Sequence, residues 1–185
     1  MIAYQFTRLK EPSYPLAGEV TRVLTSRLKG VENFHKAIHF TVRETIENSF
    51  EHGRTDHCFI SAYSVPSKNV VRLCILDTGI GIPESLNSSG RYAERLEDTD
   101  AILHASEYGV SSKSTDRGIG LYILRDVVEK NEGTLTLISV SGSVEFSCEV
   151  KKRQLKNHFN GTIIKLMLRT KKEFHYIDTA GWEAL

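Results

Sequence analysis

No stretch of this sequence stays apolar for long. The richest run, Val70-Val71-Arg72-Leu73-Cys74-Ile75-Leu76, is short and broken by an arginine. A membrane helix needs roughly 20 apolar residues. The start of the chain also lacks the basic opening and apolar run of a signal peptide, so a cytoplasmic protein is expected. Charge of one sign is missing too: 24 Lys and Arg face 23 Asp and Glu, for a net charge of +1. Such a balance creates no global field for nucleic acid or an anionic membrane, and neither is expected as a partner. Cysteine is sparse. Cys58, Cys74 and Cys148 are far apart and odd in number, and they form no metal-ligand pattern. All three read as reduced core residues, since free cysteine packs as a small hydrophobe. Internal repeats, low-complexity segments and linkers are also lacking, so 185 residues are expected to form a single domain.

What the sequence does contain is a clear alternation of helix and strand patterns. Residues 1–15 are interrupted by Pro12 and Pro15 and fit a short edge strand or an arm. A short helix is expected from Leu16 to Lys29. The clearest helix runs from Val31 to Glu51, where Phe34, Ile38, Val42 and Ile46 recur at three-four spacing. Gly53 stands where a helix C-terminus usually favours glycine. Strands are expected at Cys58–Tyr63 and Val70–Leu76, joined by a turn at Pro66-Ser67-Lys68-Asn69. A long segment, Pro83–Arg117, carries little regular pattern beyond a helix near Thr99–Tyr108. Long connections in compact domains are usually functional loops or lids. A helix at Ile119–Lys130 follows, then strands at Thr134–Val140, Val144–Val150 and Thr162–Leu168, the first two turning on Ser141-Gly142. The pattern predicts an α+β two-layer sandwich: a mixed, largely antiparallel sheet with helices on one face.

Three segments carry chemistry. In Glu44-Thr45-Ile46-Glu47-Asn48-Ser49-Phe50-Glu51-His52-Gly53, the residues Glu44, Asn48 and His52 lie at i, i+4 and i+8 on one helical line. A carboxylate there can take a proton, and an amide oxygen suits Mg²⁺. Such a line is also what an ordinary solvated helix edge looks like. In Asp77-Thr78-Gly79-Ile80-Gly81-Ile82-Pro83, a carboxylate leaves a strand and two glycines let the backbone pass close to a flat ligand. An ordinary Asx turn has the same beginning. In Ser111-Ser112-Lys113-Ser114-Thr115-Asp116-Arg117-Gly118-Ile119-Gly120-Leu121, small residues and two glycines open a helix, where free N–H groups favour anions. Lys113 and Arg117 add positive charge. A P-loop is excluded because no Gly-Lys-Ser/Thr ends the segment, and a dinucleotide fingerprint because the third glycine is missing.

The order of the three segments resembles the GHKL ATPase superfamily of gyrase, heat-shock chaperones, histidine kinases and mismatch-repair ATPases. The resemblance covers residues 31–168 and includes Asn160-Gly161-Thr162, which is similar to the opening of the family's last strand. It implies the Bergerat fold and binding of ATP with Mg²⁺. By the same resemblance Glu44 is the base and Asn48 holds Mg²⁺. His52 stands near the phosphates, and Asp77 accepts from the adenine amino group. Gly79 and Gly81 wall the base pocket. Gly118, Gly120 and the adjoining Leu121 sit at the phosphates, Thr162 supports the adenine site, and Pro83–Arg117 is the ATP lid. Glu51 departs from the pattern, standing where many histidine kinases place a lysine.

The phosphoryl acceptor is open at this point. His35 and His39 are the nearest histidines to the N box, yet neither lies in the usual acidic setting of a phosphoacceptor. The His-Gly after Asn48 is similar to that of anti-sigma-factor serine kinases, which phosphorylate a partner of the STAS type. The resemblance therefore implies a signalling module, a kinase or ATPase acting with a protein partner, and leaves room for a homodimer. The alternative is a non-catalytic, ATP-gated interaction module.

Overall fold

The structure, a computed structural model, describes residues 3–26, 32–92, 94–112 and 118–172. Strand β1 (Ala3–Leu9) leads to helices α1 (Tyr14–Thr25) and α2 (Glu32–Glu51). A hairpin follows, β2 (Cys58–Val65) and β3 (Val70–Asp77), closed by a 3-10 turn at Pro66–Lys68. Then come α3 (Gly81–Asn87), α4 (Asp98–Ala105), α5 (Gly120–Asn131), β4 (Thr134–Phe146) and β5 (Val150–Arg169). The strands form one sheet in the order β1-β2-β3-β5-β4. Among the described residues, no helix is long and apolar enough to cross a membrane.

Every strand pairing is antiparallel: the largely antiparallel sheet that was expected is found, without the parallel pair a mixed sheet would add. The reason is topological. The long connection after β3 does deliver β4 running the same way as β3. The last strand then inserts between them, so the two parallel strands never bond.

Strand alternation buries one face of the sheet. The register aligns the inward residues in rows across four strands: Ile60, Ile75, Ile164 and Leu137 in one, Ala62, Leu73, Leu166 and Leu135 in the next. Helices α1, α2 and α5 cover these rows. Helix α2 contributes Ile38, Val42 and Ile46, and α5 contributes Ile123, Leu124, Val127 and Val128, all buried. Each such side chain stabilises the fold by about 1.5–3 kcal/mol. Helix α1 starts at Ser13, whose hydroxyl accepts from Leu16 N–H, with proline in the first turn. At its far end α5 is tied to β5 by the buried amide of Asn131. That amide donates to the Arg169 carbonyl at 3.1 Å and accepts from Arg169 N–H at 2.6 Å.

Two expectations about the end of the chain are corrected. Three strands were expected after residue 133, and there are two long ones. Ser141-Gly142 is an irregularity within β4, not a turn. The first turn of α4 presses against it: the Asp98 carboxylate accepts from Ser141 N–H at 3.0 Å, and a Cβ on Gly142 would lie 2.8 Å from the Asp98 carbonyl carbon. Beyond that point Val144 and Phe146 are fully buried, which holds the ribbon straight on. The hairpin tip is Ser147–Glu149, and it carries Cys148 into solvent. Cys148 is therefore no core residue. Cys58 is buried, and Cys74 lies between the two extremes. Within the expected loop, α3 was not foreseen.

Candidate functional site

The same register that aligns the apolar rows places Cys58, Asp77, Thr162 and Ser139 in a further row, next to that of Ile60, at one end of the sheet. This polar row sits where the helices diverge and a cavity of about 370 Å³ opens, within the range of small-molecule sites. Burial pushes the Asp77 carboxyl above its usual range, against the lowering effect of hydrogen bonds from Gly79 N–H, Thr162 N–H and the Ser49 hydroxyl. Gly79 N–H donates at 2.9 Å and Thr162 N–H at 3.2 Å, both to Oδ1. The second carboxylate oxygen is left as the acceptor for other donors. Beside it the Cys58 thiol is pushed up to about 12 by burial and stays neutral.

The glycines shape this end by close approach. A Cβ on Gly79 would overlap the carbonyl of Gly53, the residue that ends the turn after α2. Ile80 N–H donates to that same carbonyl at 2.8 Å. Gly53 thus serves packing between α2 and the Asp77 turn; the left-handed residue there is Arg54, at φ 52°. Gly79 lies one layer behind the cavity, whereas Gly81 borders it. Gly81 has φ 80°, and a Cβ there would lie 2.6 Å from Ser139 Oγ. Ser139 in turn accepts from Ile82 N–H at 2.9 Å and donates to the Gly161 carbonyl at 2.8 Å. It pins the start of α3 to β5. Sequence reading missed Ser49 and Ser139, because only the sheet register and the seat of α2 bring them to Asp77.

On the opposite wall stand Glu44, Asn48 and His52 of α2, with Gly118, Gly120 and Leu121 at the start of α5. The two helices nearly touch: a Cβ on Gly120 would lie 2.9 Å from Glu44 Cβ. The N-cap residue of α5 is Ile119, whose side chain cannot cap it, so among the described residues no side chain caps the first turn and its N–H groups suit an anion. Arg43 lies 3.9 Å from Glu44 Oε1 and 3.7 Å from Glu47 Oε1, with its guanidinium over the rings of Phe40 and Tyr14. His52 Nδ1 bonds Ser112 Oγ at 2.6 Å, and Ser112 Oγ lies 3.1 Å from Ser85 Oγ. This polar bridge joins the end of α2, the lid segment and α3. Lys113 and Arg117 lie outside the described residues. His35 is exposed and His39 half-buried on the first part of α2, and neither borders the cavity. Burial lowers the pKa of His39, as do Arg43 and His35.

The arrangement suits a flat base with one amino donor at Asp77 and an anionic tail at the start of α5. Mg²⁺ commonly takes one or two protein ligands and completes its shell with phosphate and water. Asn48, one helical turn from Glu44 on the cavity wall, fits that role. Among the described residues no cluster of three or more His, Cys, Asp or Glu offers a site made of protein alone.

No curated protein matches the sequence. The family model described as histidine kinase-, DNA gyrase B- and HSP90-like ATPase matches residues 35–169, which span every element from α2 to β5. The chain belongs to that family and carries its ATP-binding domain.

Proposed function

We propose that this protein binds Mg–ATP in the cavity and transfers the γ-phosphoryl group to a partner protein or to water. One observation carries the reading: a single cavity gathers the buried Asp77 carboxylate, the first turn of α5 and the Glu44 carboxylate. Asp77 accepts from the adenine amino group through the oxygen its backbone donors leave free. Thr162 and Gly81 border the base. The N–H groups at Gly118–Leu121 hold the phosphates. Glu44 takes the proton from the attacking hydroxyl or water, and Asn48 is the protein ligand of the metal. Bound Mg²⁺ would neutralise phosphate charge. Positioning and charge compensation do most of the work in phosphoryl transfer. The partner fits a signalling protein, of the STAS type or another, in the cytoplasm.

A second reading is favoured by the His52–Ser112–Ser85 bridge. It ties the lid to the cavity floor, so nucleotide entering beneath it would rearrange the lid and alter the outer surface without chemistry. Labelled ATP with Mg²⁺ separates the two. Phosphate release or protein labelling that Glu44→Ala abolishes, with binding retained, supports the enzyme. ATP binding without turnover in the presence of a captured partner supports the gated module.

A further inference from the structure

The cavity has two ends, and the last part of α2 runs between them. At one end α2 meets Asp77. A Cβ on Gly53 would lie 3.4 Å from Asp77 Oδ1, and the Ser49 hydroxyl is within hydrogen-bond reach of that carboxylate. At the other end Glu44 meets Gly120 at the start of α5. A helix rises about 1.5 Å per residue, so the stretch from Glu44 to Gly53 separates the ends by roughly 13 Å. The ends differ in charge as well. Arg43, the one Lys or Arg that borders the cavity among the described residues, lies beside Glu44.

His52, Ser85 and Ser112 belong to the Asp77 end. His52 directly precedes Gly53 and stands about two turns from Glu44. Ser85 lies one turn along α3 from Gly81, which walls the same end against Ser139 and Gly161. His52 Nδ1 bonds Ser112 Oγ at 2.6 Å, and Ser112 Oγ lies 3.1 Å from Ser85 Oγ. Three parts of the chain thus bring one polar row onto the cavity wall. Leu86 and Ser111, the chain neighbours of Ser85 and Ser112, are buried and seat that row.

A hydroxyl offers one donor and two acceptor positions. The bridge uses two of these at Ser112 and one at Ser85. Both serines therefore suit a ligand group that donates and accepts at once. Ionised phosphates only accept; a sugar hydroxyl does both. A nucleotide held by its base at Asp77 presents its sugar next, before any phosphate.

We propose that Ser85 and Ser112 form a sugar subsite that recognises the ribose hydroxyls and makes the cavity selective for ribonucleotides over deoxyribonucleotides. His52 is a positioning residue there, orienting the Ser112 hydroxyl. The inference rests on adenine binding at Asp77 and is independent of the fate of the γ-phosphate. A clasp that merely held the lid to α2 and α3 would affect every nucleotide alike.

The probes are ATP, deoxy-ATP, which lacks one sugar hydroxyl, and dideoxy-ATP, which lacks both. Each is titrated with Mg²⁺ against the full chain by calorimetry. Wild type should bind dideoxy-ATP at least tenfold more weakly than ATP, with deoxy-ATP between them, because a site built to bond a hydroxyl rejects the analogue without it. In Ser85→Ala and Ser112→Ala that ratio should shrink at least threefold, since protein and ligand hydroxyls are coupled. Ser112→Thr, which keeps a hydroxyl, should preserve it. A wild-type ratio within twofold overturns the sugar subsite and leaves ATP binding at Asp77 standing; this comparison needs no variant. An unchanged ratio in both alanine variants, even with all affinities lowered together, overturns the assignment of these serines. Binding by none of the three nucleotides overturns the ATP reading and this inference with it.

Discussion

Replacing Asp77 with asparagine isolates one hydrogen bond. Both backbone donors converge on Oδ1. The carbonyl of the introduced amide can stand in that place and keep them. Its NH₂ then takes the position of Oδ2 and faces the adenine amino group, donor against donor. The loss combines a hydrogen bond to a charged acceptor, about 1.5–3 kcal/mol, with a buried donor left unpaired, about 1–3 kcal/mol. At 1.4 kcal/mol per factor of ten, ATP affinity should fall about sixtyfold or more. The fold should survive, because ionised Asp77 is itself costly to bury. Its pKa is raised, so the folded state holds the proton to higher pH than the unfolded chain does. Wild type should therefore lose stability, relative to Asp77→Asn, as pH rises from the ordinary carboxylate range through the raised value. ATP binding should show the opposite trend in that window, strengthening as Asp77 ionises. Calorimetric titration of Mg–ATP, paired with urea melts across pH, reads both effects. Inosine triphosphate is an internal control, since its 6-oxo group can accept from the new NH₂ and should regain ground against ATP. If the variant binds ATP within threefold of wild type, the assignment of Asp77 to adenine fails.

Gly79→Ala should destabilise the fold by about 1–3 kcal/mol, since the new methyl overlaps the Gly53 carbonyl. It should weaken ATP binding as well by displacing the Asp77 turn; thermal melts and titration check both. Asn131→Ala removes both bonds to the Arg169 main chain. A loss of about 2 kcal/mol is expected, seen as a lower urea midpoint with an unchanged m-value and unaltered nucleotide affinity. Glu44→Gln should hold ATP within a few-fold of wild type while phosphate release or partner labelling drops at least a hundredfold, as measured by single-turnover assay.

Much of this protein is legible in the sequence because its signals are local. The α2 stripe, the β2–β3 hairpin and the start of α5 follow from residue periods and turn chemistry. Glu44, Asn48, Asp77 and Gly120 stand out by motif, and the last three lie within a few residues of an element boundary. The order of the strands in the sheet could not be read this way. It depends on β5 inserting between β3 and β4, a pairing between residues nearly ninety apart, as at Asp77 and Thr162. The same holds for Ser49 and Ser139, which look like ordinary small polar residues until the seat of α2 brings Ser49 to the cavity and the register sets Ser139 behind it, bonded to Ile82 and Gly161. The strand expected at Val144–Val150 holds only as far as Phe146, where β4 ends, and the start of β5 that pairs back on it, Val150–Lys152, was missed. A run of exposed cations carries no apolar alternation, and only pairing with a buried neighbour makes it a strand. By itself, then, the sequence determined the family and the presence of its ATP-binding domain. The tertiary structure decided how the site is seated, because sheet register and helix packing alone set which distant residues touch.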